Sequence, residues 1–248
     1  MSLPISLQLY SLRDDAPKDF LGILKQVAGI GFDAVEFAGY HGHSAAVLRG
    51  ALDDNGLRCS GTHTAITLLD DDQYDATLRT HETLGTRNII IPWLPLELHS
   101  TAEATLETAK RLTQLTEKVE KDGFRLGFHA HDADMKLLDD GRSTWYILGE
   151  NTPDSFILQF DTANAMHGGT DPVQPLLDFP GRGVTVHFKE YPFDGSTIGE
   201  GEVPFANVIK TLGAAGAEWV VIEQEQYGDR TPIEACRVSF DNLKLLMD

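Results

Sequence analysis

The sequence alternates short strand-like runs with longer amphipathic segments from end to end, and this repeat constrains the fold more than any other feature. The strand-like runs occupy residues 5–10, 34–37, 57–63, 88–92, 125–129, 156–161, 184–188 and 219–223. Most of them are too continuously apolar to be half exposed, which is typical of parallel strands covered on both faces. The helical patterns between them occupy residues 18–30, 43–55, 71–84, 101–122, 143–150, 172–178, 204–215 and 231–246.

The order of these elements predicts an α/β protein with one domain across residues 1–248. Strand–helix units with no linker or low-complexity break indicate a closed (β/α)8 barrel, although a doubly wound open sheet would give similar local patterns. Glycine follows two of the helical segments, at Gly31 and Gly56, where a left-handed C-terminal cap causes this residue little strain. The chemistry at the strand ends is needed to separate the two architectures.

The charge balance argues against a nucleic-acid partner. The chain carries 20 Lys and Arg against 38 Asp and Glu, and the resulting net charge of −18 repels a phosphate backbone. Its longest apolar runs are strand-sized, such as WVVI at 219–222, whereas a membrane helix needs about 20 apolar residues. We therefore expect neither nucleic acid nor membrane as a partner.

The N-terminal stretch and the cysteines indicate a reducing compartment. MSLPISLQLYS lacks a basic region followed by a long apolar region and a small-residue cleavage site, so we predict no secretion signal and a cytoplasmic location. Cys59 and Cys236 are far apart in sequence and form no C-x-x-C pattern. They are expected to be reduced thiols with structural roles, because a disulfide framework or a cysteine zinc site needs paired cysteines.

Acidic and imidazole groups recur where the strand patterns end. In a (β/α)8 barrel every carboxyl strand end faces the same mouth, so residues that are remote in sequence would converge there. A single histidine or aspartate after a strand is more often a helix cap or a loop residue. The recurrence at six of the eight strand ends favours a functional site, and the groups are Glu36, His63, His129, His131, Asp161, His187 and Glu223.

Carboxylates and imidazoles together favour one divalent metal ion, which could be Mn, Mg, Co, Zn or Fe. Such an ion can polarise a sugar oxygen while a neighbouring carboxylate removes the proton from the adjacent carbon and so gives an enediolate. This chemistry is that of an isomerase or epimerase. Four other histidines, His41, His43, His81 and His99, have no paired carboxylate in sequence, so surface or capping roles are expected for them.

Eight motifs follow one another along nearly the whole chain: ISLQLYSLRD, GFDAVEFAGY, GLRCSGTHT, LGFHAHD, FDTANAMHGGTDP, GRGVTVHFKE, IGEGEVPF and VIEQEQ. Together they resemble the sugar phosphate isomerase/epimerase family, the xylose-isomerase-like TIM barrels. The resemblance implies a single-domain TIM barrel and a divalent-metal-dependent isomerase or epimerase that acts on a small carbohydrate. The motifs do not identify which carbohydrate.

The resemblance also implies the residues of the site. The family's metal is held by a carboxylate after strand 5, an Asp ending strand 6, a His in strand 7 and a Glu ending strand 8. These positions correspond here to Asp134, Asp161, His187 and Glu223. Many relatives read YHNHDFEF where this chain reads FHAHDADM, so Asp134 stands in place of a glutamate. The acid/base pair would be Asp134 and Glu223, and the groups that bind or orient substrate would be Glu36, His63, His129, His131 and Lys189.

The loop IGEGEVPF resembles the family's loop after strand 7. Its glycines precede a helix, and such loops can hold phosphate through backbone N–H groups. Glu200 and Glu202, however, place two negative charges in this loop, and Lys189 is the only cation near it in sequence. We therefore expect an unphosphorylated keto-sugar or polyol as substrate.

Three alternative functions remain open at this point. The same enediolate can expel a β-hydroxyl, so a lyase such as a dehydratase of a keto-polyol is possible in the same site. Apurinic-site endonucleases share the barrel, but they have a basic DNA-facing surface that this acidic chain does not offer. A non-catalytic sugar-binding barrel is the third alternative, because Asp134 stands where relatives carry a glutamate and its side chain is one methylene shorter. Homo-oligomers are common among soluble enzymes, and the sequence does not indicate an interface.

Overall fold

The computed structural model describes residues 3–248. Each of the eight predicted strand-like runs contains one strand, and neighbouring strands pair in parallel. The strands are β1 Ile5–Gln8, β2 Ala34–Phe37, β3 Arg58–His63, β4 Asn88–Ile91, β5 Arg125–His129, β6 Ile157–Gln159, β7 Thr185–Phe188 and β8 Trp219–Ile222. The predicted domain also includes residues 1 and 2, which lie outside the described residues. The first run is shorter than predicted, because the Gln8 side chain accepts a hydrogen bond from the Tyr10 N–H and starts a 3-10 helix at Leu9–Leu12.

The strands close almost completely into a barrel. Their order is β6-β5-β4-β3-β2-β1-β8-β7, so the first strand pairs with both the second and the last. The remaining gap between β6 and β7 is spanned by a parallel bridge between Asp161 and His187 and by a hydrogen bond from the His187 N–H to the Phe160 carbonyl at 2.7 Å. The (β/α)8 prediction is therefore confirmed, and the open doubly wound sheet is excluded.

Helices follow the strands and cover the outside of the barrel. They are α1 Phe20–Ile30, α2 Ala45–Asn55, α3 Tyr74–Leu84, α4 Ala102–Lys121, α5 Asp132–Met135, α6 Thr144–Asn151, α7 Thr162–His167, α8 Gln174–Asp178, α9 Phe205–Ala215 and α10 Pro232–Met247. Two of them, α5 and α7, were not predicted, because a helix of one or two turns is too short to show a helical period. Both begin directly after a strand, at the end of the barrel that holds the candidate residues.

Local capping sets the helix boundaries. Asp19 and Ser44 accept hydrogen bonds from the N–H groups of Gly22 and Val47, so α1 and α2 each begin two residues later than the patterns predicted. Gly31 ends α1 with a φ of 117°, and Gly56 ends α2 with a φ of 68°. The predicted glycine caps are therefore confirmed.

The two faces of the strands differ in chemistry. Leu7, Val35 and Phe37 belong to the apolar core between the strands and the helices. The interior of the barrel is polar, since cross-barrel hydrogen bonds join side chains of β1, β2, β6 and β7. Below them, Ile90, Ile157 and Val184 form a small separate apolar cluster. Branched apolar residues usually fill such a barrel, so a polar interior marks this one as a place for chemistry.

Two further expectations concern the chain as a whole. Cys59 and Cys236 are buried free thiols within the described residues, which agrees with the structural role predicted for them. Among residues 3–248, no helix combines the length and the apolar character that crossing a membrane requires.

Candidate active site

Four buried side chains from four consecutive strands meet near the carboxyl ends of the barrel strands. His129 ends β5, Asp161 follows β6, His187 lies in β7 and Glu223 follows β8. One possible ligand atom from each lies within 4.8 Å of those of the other three. We call these residues the ligand cluster. It contains three of the four ligands predicted from the resemblance, and its fourth member is His129.

His187 is held with one ring nitrogen facing the cluster. Its Nδ1 lies 3.3 Å from Glu223 Oε2 and 3.9 Å from Asp161 Oδ2. On the other side of the ring, Nε2 donates to Glu36 Oε2 at 2.7 Å. Burial opposes a charged ring, but Glu36 and Glu223 outweigh it and raise the pKa of His187 to about 10. A metal at Nδ1 would displace the proton from that atom, because ligation needs the free lone pair.

Asp161 carries a buried oxygen that has no hydrogen-bond donor. Its Oδ1 accepts from the Asn164 N–H at 2.8 Å, which starts α7. Its Oδ2 has no hydrogen-bond partner among residues 3–248. Burial raises the pKa of this carboxyl, and the nearby Glu223 adds to the effect. Buried polar atoms are normally satisfied, so an unsatisfied carboxylate oxygen beside two histidines and a glutamate fits a cation site.

His129 is arranged as a neutral ligand. Its Nδ1 lies 3.1 Å from Gln159 Oε1, and an amide oxygen can only accept, so Nδ1 carries the hydrogen and Nε2 keeps its lone pair. Burial holds the pKa of His129 well below its usual value, and the neighbouring His187 adds to this. A metal binds the neutral imidazole, so the ring is ready for coordination without losing a proton.

Glu36 and Gln159 support the cluster from inside the barrel. Glu36 accepts from Gln8 Nε2 at 2.7 Å and from Gln159 Nε2 at 2.8 Å, in addition to His187. Burial alone would raise the pKa of Glu36, but His63 and His187 reverse the effect and lower it. His63 Nε2 lies 2.9 Å from Gln159 Oε1 and 3.2 Å from Glu36 Oε2.

This placement differs from the substrate-binding role predicted for Glu36. The side chain has no exposed surface and lies beneath His187, so it supports a ligand instead of facing the mouth. Sequence reasoning missed Gln159 altogether. The signal was present, because Gln159 stands two positions before Asp161 in FILQFD and so projects to the same side of the sheet.

Lys189 neutralises the carboxylates above the cluster. Its Nζ contacts Glu225 Oε1 and lies 3.6 Å from Glu223 Oε2. Burial disfavours the ammonium, but Glu223, Asp161 and Glu225 outweigh it and raise the pKa of Lys189. Burial also works against ionisation of Glu223, yet Lys189 and His187 hold its pKa well below the usual range. Both groups are therefore charged at neutral pH.

A pocket opens next to this charged pair at the ends of β7 and β8. Besides Lys189 and Glu223, its wall includes Glu190, Phe193, Ser196 and Glu225. Sequence reasoning missed Glu225, although it follows Glu223 by two positions in VIEQEQ. The pocket is narrow, with about 10 Å³ free for a water-sized molecule, and it lies against the buried carboxylate of Glu223.

The sequence of the chain matches a known family across most of its length. Residues 24–244 match the model of the family described as the xylose isomerase-like TIM barrel. The chain belongs to this family. The resemblance seen in the eight motifs is thereby confirmed.

Solved structures share the xylose isomerase-like fold at low sequence identity. A sugar phosphate isomerase/epimerase from Parabacteroides distasonis gives a TM-score of 0.87 at 22% identity, with 100% of this chain and 96% of that chain covered. An L-ribulose 3-epimerase gives 0.74 at 16%, with 100% and 95% covered. The IOLI protein, whose crystal structure holds a zinc atom, gives 0.74 at 14%, with 100% and 98% covered. No functionally curated protein matches the sequence.

The carboxylate that the xylose isomerase-like pattern places after strand 5 does not join the cluster here. Asp134 lies in α5, where its Oδ2 accepts from the His131 N–H at 2.9 Å and its Oδ1 lies 3.0 Å from His99 Nδ1. Oδ2 is thus taken up by its own turn, and Oδ1 faces His99 as an ion-pair partner although its geometry is outside that of a regular hydrogen bond. The structure therefore differs from the predicted ligand and catalytic roles of Asp134, because the side chain caps its own turn.

His99 and His131 complete this second group. The hydrogen bond to Asp134 raises the pKa of His99, whose Nε2 also donates to the Leu94 carbonyl at 3.0 Å. His99 is buried, so the surface role is wrong, but its backbone N–H donates to the Leu96 carbonyl at the end of the 3-10 helix Leu96–Leu98, which agrees with a capping role. His131 is half-buried, and its ring lies edge-on to His129 with the centroids 4.8 Å apart. His131 therefore remains close enough to the cluster to meet a substrate.

Proposed function

We propose that the protein is a divalent-metal-dependent isomerase or epimerase that acts on a small, unphosphorylated carbohydrate. The observation that carries the proposal is the convergence of His129, Asp161, His187 and Glu223, with Asp161 Oδ2 left without a donor. Two imidazoles and two carboxylates form a donor set suited to Zn, Mn, Co, Fe or Mg. The zinc atom in the IOLI protein, which has the same fold, supports a metal in this barrel.

The four cluster residues would hold the ion, and a bound divalent ion supplies Lewis acidity towards a substrate oxygen. The protonation state of one ligand and the orientation of another are set before a metal binds. His129 is kept neutral by burial, and the Nε2 hydrogen bond to Glu36 turns His187 so that Nδ1 faces the carboxylates. Such outer hydrogen bonds fix the orientation of metal-ligating histidines.

Glu223 is the group that we assign to proton transfer. Its carboxylate is ionised, lies on the pocket wall and can accept the proton from the carbon beside a substrate carbonyl. The Lys189 ammonium can donate a hydrogen bond to the oxygen on which negative charge develops in the enediolate. Asp134 is engaged with His99, so the proposal rests on Glu223 and not on the predicted pair.

The charges of the pocket favour a neutral substrate. Its wall carries the carboxylates of Glu190, Glu223 and Glu225 and the ammonium of Lys189. That ammonium is already paired with two of the carboxylates, so the wall offers a phosphate net repulsion. Sugar hydroxyls can instead donate to these carboxylates, which supports a keto-sugar or polyol.

Dehydration of a keto-polyol is the alternative reaction in the same site. Loss of a β-hydroxyl needs an acid beside the leaving group in addition to the base that forms the enediolate. The product mass separates the two reactions, because isomerisation conserves it and dehydration removes one water. A non-catalytic barrel would bind metal and sugar and form no product.

The decisive experiment combines metal binding with turnover. The protein is stripped with a chelator, dialysed against each of the five metals and incubated with a panel of aldoses, ketoses and polyols in D2O. We expect one tightly held ion and a product of conserved composition with deuterium at the exchanged carbon. Asp161→Asn should lose both metal and turnover, whereas Asp241→Asn on the exposed face of α10 serves as the matched control. Equal metal content in Asp161→Asn and wild type would contradict the proposal.

A further inference from the structure

The loop between β7 and α9 turns three backbone N–H groups inward onto one carboxylate. Glu190 Oε1 accepts from the N–H groups of Tyr191 and Val203, each at 3.0 Å, and Oε2 accepts from the Gly199 N–H at 2.7 Å. Glu190 is only 4% exposed, so these bonds are shielded from water. Both oxygens of this buried side chain are thus satisfied by the loop backbone.

The loop is fitted closely around this side chain. A Cβ atom at Gly201 would lie 2.3 Å from the Tyr191 carbonyl oxygen and 2.7 Å from Glu190 Cδ, and both distances are too short for a side chain at this position. Gly199 has a φ of 85°, a conformation that turns its N–H towards the carboxylate and that glycine adopts without strain. Gly201 therefore leaves room for both the Tyr191 carbonyl and the Glu190 side chain, and Gly199 donates its N–H to the carboxylate.

Inward-facing N–H groups in a glycine loop before a helix are the arrangement that proteins use to bind phosphate. In this chain the three N–H groups donate to the Glu190 carboxylate instead. Glu190 also forms part of the wall of the pocket that reaches Glu223 and Lys189. A phosphoryl group entering this end of the pocket would meet a buried negative charge in place of free donors.

We propose that Glu190 is a specificity-determining residue whose carboxylate occupies the position of a substrate phosphate and so restricts the pocket to unphosphorylated carbohydrates. The identity of the substrate rests on the proposed function, but the occupied anion position does not. Removal of the carboxylate frees the three N–H donors that now point at it. Inorganic phosphate is then the simplest probe, because its binding requires neither turnover nor a metal.

The experiment measures the binding of inorganic phosphate to the metal-free full-length protein by calorimetry. We expect Glu190→Ala to bind phosphate at least about tenfold more tightly than wild type, since each freed N–H can form a charge-assisted hydrogen bond. Acetate should bind the same variant competitively and raise its melting temperature. Glu202→Ala is the matched control, because it removes one exposed negative charge from the same loop without vacating the carboxylate position.

The outcomes separate specificity from simple loop stability. If phosphate binds Glu190→Ala no better than it binds Glu202→Ala, the proposal is overturned, and recovery of the melting temperature in acetate then assigns Glu190 to loop stability alone. Should Glu190→Ala fail to fold, Glu190→Ser also vacates the carboxylate position and keeps a hydroxyl that can accept from one freed N–H, and it should bind phosphate at least about threefold more tightly than Glu202→Ser. Equal binding by these two variants also overturns the proposal. Turnover of a neutral sugar by wild type tests the proposed function separately.

Discussion

The replacement of Glu36 by glutamine tests whether the interior of the barrel orients the ligand cluster. Glu36 accepts from Gln8, Gln159 and His187, and His63 lies 3.2 Å from the same carboxylate. Glutamine has nearly the same shape, but one of its two polar atoms is a donor. Wherever that NH2 group is placed, it faces at least one existing donor.

Glu36→Gln should lower both the unfolding free energy and the metal affinity, and the size of each effect can be given. Removing the carboxylate leaves the buried His187 without its main counter-charge, and breaking a buried pair in this way costs about 3–5 kcal/mol of unfolding free energy. A rotation of Gln159 that relieved the conflict would remove the acceptor of the His129 Nδ1–H. Loss of a hydrogen bond that orients a metal-ligating histidine weakens metal binding about 10–100-fold, and that loss is expected here.

The assay is a chelator competition for the tightest of the five divalent ions, combined with 15N NMR of the histidine rings. Thr185→Val is the matched control, because it removes a buried hydrogen bond to Gln159 and leaves the charge of Glu36 in place. We expect the control to bind metal within about threefold of wild type. Wild-type affinity in Glu36→Gln, with the proton of His187 still on Nε2, would refute this reasoning.

Three further predictions concern stability and titration. Asp134→Asn should bring the pKa of His99 down towards its ordinary value, as measured by the NMR shift of its ring protons with pH; an unchanged pKa would assign the shift to another cause. Because the folded pKa is the raised one, the stability that Asp134 adds should be fully present below about pH 6.5 and be lost as the pH rises through the folded value. The half-exposed pair of Arg125 and Glu218 should show a coupling of about 1 kcal/mol or less in a double-mutant cycle at low salt, and a coupling that salt does not reduce would contradict this. Leu52→Ala, at a fully buried position of α2, should lower the unfolding free energy in urea by about 2–5 kcal/mol, whereas a change within about 0.5 kcal/mol would mean that the packing there is loose.

The architecture could be predicted because the alternation of strands and helices is local. Each strand-like run carries its own pattern of continuous apolar residues, and the barrel topology then brings Asp161, His187 and Glu223 together whatever their distance in sequence. The convergence of these three residues is a consequence of the fold alone. Short helices such as α5 and α7 escaped prediction because they are stabilised by caps, including the Asp161 carboxylate, and not by a period.

The supporting residues could not be predicted, because their roles depend on directions across the barrel. Glu36 lies in a strand-like run like any other strand-end acid, and only the folded chain shows that it points beneath His187. Glu190 looks like a loop residue next to Lys189, yet the backbone encloses it. For Asp134, the local alternative of capping its own turn competes with a reach into the mouth, and the contact with His99 favours the cap.

The incomplete pairing between β6 and β7 gives the ligand cluster a mechanical meaning. Asp161 and His187 are at once two members of the cluster and the two partners of the bridge that spans this gap. This seam between β6 and β7 has the fewest backbone pairings in the barrel wall, and an ion bound by Asp161 and His187 would link its two sides. Hydrogen exchange of the backbone N–H groups along this seam should then slow when the metal binds, so that metal binding and stabilisation of the barrel wall become one event.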